Sequence, residues 1–134
     1  MRRLFTFFLL SLTLLFPSCK WYGTAGEGNI QLEAHSILFG ADGGSKTVDA
    51  TKSGFWITGL SIWNDDTLLS IIPESHDVVR GEWITASRVS NATETASLFI
   101  EVLPNDTGEK RFAVVSVSYM DYSESVEIVQ ESNL

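Results

Sequence analysis

One thiol, two imidazoles and a few closely set carboxylates are the groups of this 134-residue chain with the most obvious chemistry. The thiol, Cys19, follows an apolar run from Leu4 to Phe16 that only Thr6, Ser11 and Thr13 interrupt, and Pro17 and Ser18 lead into it. With no second cysteine in the chain, it has no internal disulfide partner. The carboxylates occur as Asp65-Asp66 and as Asp121 with Glu124. Paired carboxylates can hydrolyse a glycosidic bond, and oxygen ligands suit calcium. Here the spacing matches no calcium loop, and a domain of this size builds no deep cleft. His35 and His76 are isolated from each other and from the cysteine, so each is expected to be a solvated or packed side chain. There is no Gly-x-Ser-x-Gly elbow, no glycine-rich phosphate loop and no His-Glu-x-x-His pair. The chain is therefore expected to be non-catalytic, without a metal or other cofactor.

The basic start Met1-Arg2-Arg3, the apolar run and the small residues before Cys19 have the anatomy of an export signal, whose apolar region spans roughly 7–15 residues. The run is shorter than the ~20 residues a bilayer-spanning helix needs. A cysteine at the cut resembles the bacterial lipobox, which implies that residues 1–18 are removed and that Cys19 is acylated as the first mature residue. The usual leucine and small residue of that motif are replaced by Phe16 and Pro17. An ordinary secretory leader with a stray cysteine is the alternative. On the lipobox reading the protein sits in the cell envelope, expected at the outer membrane, held through Cys19. Lys20-Trp21-Tyr22-Gly23 carries no acidic export cue, so a periplasmic and a surface face both stay open.

Loss of Arg2 and Arg3 with the signal takes the formal charge from −8 to −10. Such an acidic chain, with no cluster of lysine or arginine, is repelled by phosphate backbones, and nucleic acid is excluded as a partner. Residues 19–29 are rich in glycine and polar groups and read as a tether. From Ile30 the chain becomes a string of short segments with strand character, separated by turn residues. The last three alternate most cleanly: Leu98, Ile100 and Val102; then Ala113, Val115, Val117 and Tyr119; then Val126 and Ile128. Alternation of this kind with turns at short intervals predicts one all-β domain over residues 30–132, an antiparallel sandwich of seven or eight strands.

Asn105-x-x-Gly108-x-x-Arg111 lies in a turn before a strand, and the chain closes on Val126-x-Ile128-x-Gln130. With the glycine pair Gly43-Gly44 before a strand and the segments Trp56-Ile57-Thr58 and Trp83-Ile84-Thr85, this pattern resembles the BACON domain (Bacteroidetes-associated carbohydrate-binding often N-terminal). The resemblance covers about residues 31–131 and implies an immunoglobulin-like sandwich. It also implies a place among glycan-handling envelope proteins. Gly59–Glu82 is longer than the family pattern and reads as an insertion or extended hairpin. Asn105, Gly108, Arg111 and Gln130 have ordinary structural uses in turns and at strand ends.

Sugar-binding sandwiches stack exposed rings on the apolar faces of pyranoses. Trp56 and Trp83 fall within strands and are expected in the core. Trp63 ends a strand at the polar tip Asn64-Asp65-Asp66, whose amide and carboxylates can bond hydroxyls, and Tyr122 lies in the last turn. Trp63, Asn64, Asp65, Asp66 and Tyr122 are the candidate ligand-binding residues, with plain packing of Trp63 as the competing reading. Two functions follow: a carbohydrate-associated binding module, or a structural spacer or protein–protein assembly partner in an envelope complex. Only four residues follow Gln130, so the domain is expected to stand alone behind its tether, which favours binding a glycan or an envelope protein.

Overall fold

The computed structural model describes residues 30–51, 54–64, 66–91 and 95–133, with Asn64 described by its backbone alone. Cys19 and the rest of residues 1–29 lie outside the described residues, as does Asp65. Nine strands form among the described residues: β1 (Ser36–Phe39), β2 (Gly44–Ala50), β3 (Trp56–Asn64), β4 (Thr67–Ile71), β5 (Val78–Arg80), β6 (Ile84–Ser90), β7 (Ala96–Val102), β8 (Arg111–Tyr119) and β9 (Tyr122–Gln130). They make a five-stranded sheet in the order β1-β9-β8-β3-β4 and a four-stranded sheet in the order β2-β7-β6-β5. The count exceeds the expected seven or eight because β5 arises inside the polar stretch 73–81, where buried Val79 anchors it. One pairing departs from antiparallel. β1 runs parallel to β9, since the chain leaves β1 through a tight loop and enters the opposite sheet as β2.

The core is the space between the sheets. Leu98, Ile100 and Val102 of β7 meet Ala113, Val115 and Val117 of β8 and Val126 and Ile128 of β9, all buried. The long Gly59–Glu82 stretch is an extended hairpin of β3 and β4 followed by β5. Within β3 the pairing to β8 slips between Ile57 and Gly59. A bulge of this kind inserts one extra residue and reverses the side-chain phase. Ile57 points inward before it, and Leu60 and Ile62 point inward after it. Trp56 is thereby left outside the core, half-buried, with its ring centroid 6.4 Å from that of His76. Trp83 is buried as expected, although it lies just before β6.

The end of the sandwich between β7 and β8 is fixed by Asn105, which is buried. Its Nδ2 donates to Glu109 O at 2.7 Å and Glu131 O at 3.0 Å, and its backbone N–H donates to Ala41 O at 2.7 Å. Its Oδ1 accepts from the Thr107 backbone N–H at 3.1 Å and the Thr107 hydroxyl at 2.6 Å. Gly108, at φ 82°, supplies the left-handed position that closes the turn. Gln130 is buried beside this loop in an interior strand, not at a sheet edge, and its Nε2 donates to Leu103 O at 2.8 Å.

Val117→Ala is expected to lower the free energy of unfolding by about 1–3 kcal/mol through lost burial and a cavity. Removing exposed Ile72 by Ile72→Ala should leave denaturant midpoints nearly unchanged. Asn105→Ala strands the carbonyls of Glu109 and Glu131, and about 1–3 kcal/mol of stability should be lost. Asn105→Asp, with nearly the same shape, should be no better tolerated, because a carboxylate cannot donate to those carbonyls. Recovery of wild-type stability by Asn105→Asp in thermal melts would contradict the assigned bonds.

Candidate functional site

Trp63 is 47% exposed and points outward from the five-stranded sheet. Its cross-strand neighbours are Phe112 of β8 and Leu68 of β4. Phe112 in turn faces Val129 of β9, and Val129 faces Leu38 of β1. One apolar row therefore crosses all five strands of the outer face.

At the end of the sandwich beside this row lies an open groove of about 390 Å³. Ile62, Trp63 and Leu69 of the β3–β4 hairpin form one wall. Glu82 and Trp83, before β6, and Thr107, Glu109, Lys110 and Arg111, before and at the start of β8, form the others with Leu103. The Asn105 bonds hold the Thr107–Glu109 wall in place. The Arg111 guanidinium lies over the Trp83 ring, 5.3 Å from its centroid. Cation–π contact of this geometry engages the guanidinium on the indole face. Lys110 Nζ lies 3.6 Å from Glu131 Oε1. Glu82 and Glu109 form no salt bridge among the described residues, which leaves two carboxylates in the groove to accept hydrogen bonds from a ligand. Tryptophan and glutamate residues lining one groove are groups that can hold a polyol with an apolar side.

The candidate residues do not converge. Tyr122 is 39% exposed but pairs with Tyr119 at the far end of β8. Trp63 pairs with Phe112, so at ~3.3 Å per residue the two rings sit about 23 Å apart along the sheet. They cannot serve one small ligand. Asp66 is exposed in the β3–β4 turn, three residues after Trp63, but is not a groove wall. Asp65 and the Asn64 side chain lie outside what is described. Among the other acidic candidates, Glu124 is engaged structurally. Its Oε2 accepts from Gln31 N at 2.9 Å, and its Oε1 lies 2.7 Å from His35 Nε2. No group of three or more metal-ligating side chains occurs among the described residues.

Glu82, Glu109, Lys110 and Arg111 were outside the sequence-derived candidates. Their only local signal is the polar run after Asn105 and a glutamate beside Trp83. It is the pairing of β3 with both β4 and β8 that brings positions near 63, 69 and 111 to one end of the fold.

The BACON family model, described as "Putative binding domain, N-terminal", matches residues 75–131. No curated protein matches the chain. Among solved structures, the NMR structure of a protein from Bacteroides thetaiotaomicron is 19% identical, with a TM-score of 0.58 over 72% of this chain and 75% of that one. It shares the fold. A Bacteroides ovatus GH5 xyloglucanase in complex with a XXXG heptasaccharide is 17% identical at a TM-score of 0.49, over 76% of this chain but 18% of the enzyme. The family match takes in β5 to β9 with the Trp83 segment and the Asn105 turn, while the Gly43-Gly44 hairpin and Trp56 fall before it. Residues 75–131, from the turn before β5 to the end of β9, are thus the part of the chain that is similar to the BACON domain.

Proposed function

We propose that the protein is a non-catalytic, carbohydrate-associated binding module held in the cell envelope through Cys19. The observation that carries the binding half is that half-exposed Trp63 lines one groove with Glu82 and Glu109. An indole face suits the apolar side of a pyranose, and charge-assisted bonds from sugar hydroxyls to carboxylates fix its orientation. The groove balances two acidic side chains against Lys110 and Arg111, both of which are already engaged. Neutral glycans therefore fit it better than sulfated or uronic ones. The family description as a binding domain points the same way. Anchoring rests on the sequence: multiple acyl chains at ~0.8 kcal/mol per buried CH₂ give essentially permanent membrane attachment.

A glycan array probed with the protein tests the site. Trp63→Ala should abolish retention of any glycan that binds, and Glu82→Gln should weaken it. Tyr122→Ala, at the opposite end of the sheet, should leave binding unchanged. Equal loss with Tyr122→Ala, or indifference to Trp63→Ala, removes the groove as the site.

Cell fractionation tests the anchor separately. Cys19→Ala is expected to prevent acylation and to remove the lipidated protein from detergent-extracted membranes. A Cys19→Ala chain that stays in the membrane in lipidated form refutes it.

A further inference from the structure

Exposed strand edges are templates for pairing with another chain, and proteins guard them with charge, cover, brevity or proline. Three of the four edges of this sandwich are guarded. β1 spans four residues, and the Lys46 ammonium donates to its Leu38 carbonyl at 3.3 Å. β2 carries Lys46 and Asp49, and the segment before β1 lies along it through Glu33 N to Asp49 O at 2.9 Å and Thr51 N to Ile30 O at 3.1 Å. β5 is three residues long and ends in Arg80, whose Nε lies 3.3 Å from Glu74 Oε1, while Ser75 bridges back to Val78.

β4 has none of these protections. Thr67-Leu68-Leu69-Ser70-Ile71 carries no charge, and it borders only β3. Among the described residues no hydrogen bond reaches its outer edge. Leu69 lies opposite Ile62 on the inner face, yet it is 53% exposed, because the sheets pack through β3 against β5 and β6. Ile72, just past the strand, is 88% exposed. The apolar row of the outer face also runs out at this edge, in Leu68.

We propose that β4 is a self-association edge, pairing antiparallel with β4 of a second copy about a two-fold axis at Leu69. A two-fold contact must be self-complementary, and this strand is. The axis sets Leu69 against the partner's Leu69, Thr67 against the partner's Ile71 and Leu68 against the partner's Ser70. The inner-face side chains thus bury one another, and no charge meets a charge. In a chain of formal net charge −8 this choice matters, since a second copy is repelled overall and β4 is, among the described residues, the edge strand with neither charge nor cover. The result is a ten-stranded sheet continuous across two molecules.

The test uses the full chain in its host membrane, with Leu69→Cys and mild oxidation. Antiparallel partners place their Cα atoms about 4.5–5.5 Å apart, within disulfide reach. A covalent dimer is expected above the background set by wild type, which carries Cys19 alone. Met120→Cys, 72% exposed in the β8–β9 turn, should give none. Two further variants in the Leu69→Cys background read the register. Leu68→Lys with Ser70→Lys sets like charges directly opposite twice and should eliminate the dimer. Leu68→Lys with Ser70→Glu sets opposite charges there and should retain it. All four altered side chains lie on exposed surface, so unchanged melting temperatures separate lost pairing from lost folding. The proposal is overturned by no dimer from Leu69→Cys or by equal dimer from Met120→Cys. It is equally overturned by indifference to the paired lysines, or by cross-links at position 69 to other proteins alone.

Discussion

One buried amide organises the end of the sandwich where the candidate chemistry lies. Asn105 has both side-chain donors and its carbonyl oxygen engaged, and its backbone reaches across to the loop between β1 and β2. Four chain segments depend on it: the Ala41 loop, the Thr107–Glu109 turn, β8 through that turn, and Glu131 after β9. Such a network is stabilising only when complete, because each group left without a partner in a low-dielectric interior costs about 1–3 kcal/mol. The neighbouring loop is equally constrained. Gly43 sits at φ 79°, and a Cβ there would meet Val102 O at 2.4 Å. Two left-handed glycines, at 43 and 108, and one asparagine thus turn the chain at a place where side-chain packing alone would not fix it.

Part of this was legible in the residues. The alternation in β7, β8 and β9 gave their inward faces correctly, since strands covered on one face must alternate. The Asn105–Gly108 turn was legible because amide side chains and left-handed glycines leave a local imprint. The rest depends on pairing partners, which have no local imprint. Nothing in Trp56-Ile57-Thr58-Gly59 announces the bulge that moves Trp56 out of the core while Phe55 and Ile57 stay in it. Nothing in Tyr122 says that it stands at the opposite end of the sheet from Trp63, because that distance follows from the β3–β8 and β8–β9 registers. β5 was hidden for another reason: two valines among polar residues are too few to make a period.

Arg111 illustrates how a motif residue takes its role from its surroundings. It faces Gln130 directly across the β8–β9 ladder. Its Nη1 and the Gln130 Oε1 are both buried and have no hydrogen-bond partner among the described residues. A donor and an acceptor on directly paired residues are complementary, and a small side-chain shift or one bridging water would satisfy both. The rest of the guanidinium spreads over Trp83, whose indole it helps to bury. The arginine therefore closes the end of the core and, from its outer side, forms a wall of the groove. Lysine could not do both, having neither the planar fork nor the stacking surface.

Groove and open edge have a common origin in the mismatch between a five-stranded and a four-stranded sheet. With inter-sheet packing running through β3, the β3–β4 hairpin overhangs. Its inner face is then uncovered at Leu69, which becomes a groove wall, and its far strand is left without a neighbour. Shortening the hairpin would close the edge but remove Trp63 and Leu69 from the groove. Adding a fifth strand to the other sheet would bury Leu69 and close the groove from below. The extended hairpin between the two tryptophan segments is thus the part of the described chain that departs from a closed sandwich, and the groove wall of Ile62, Trp63 and Leu69 and the open edge of β4 are both built from it.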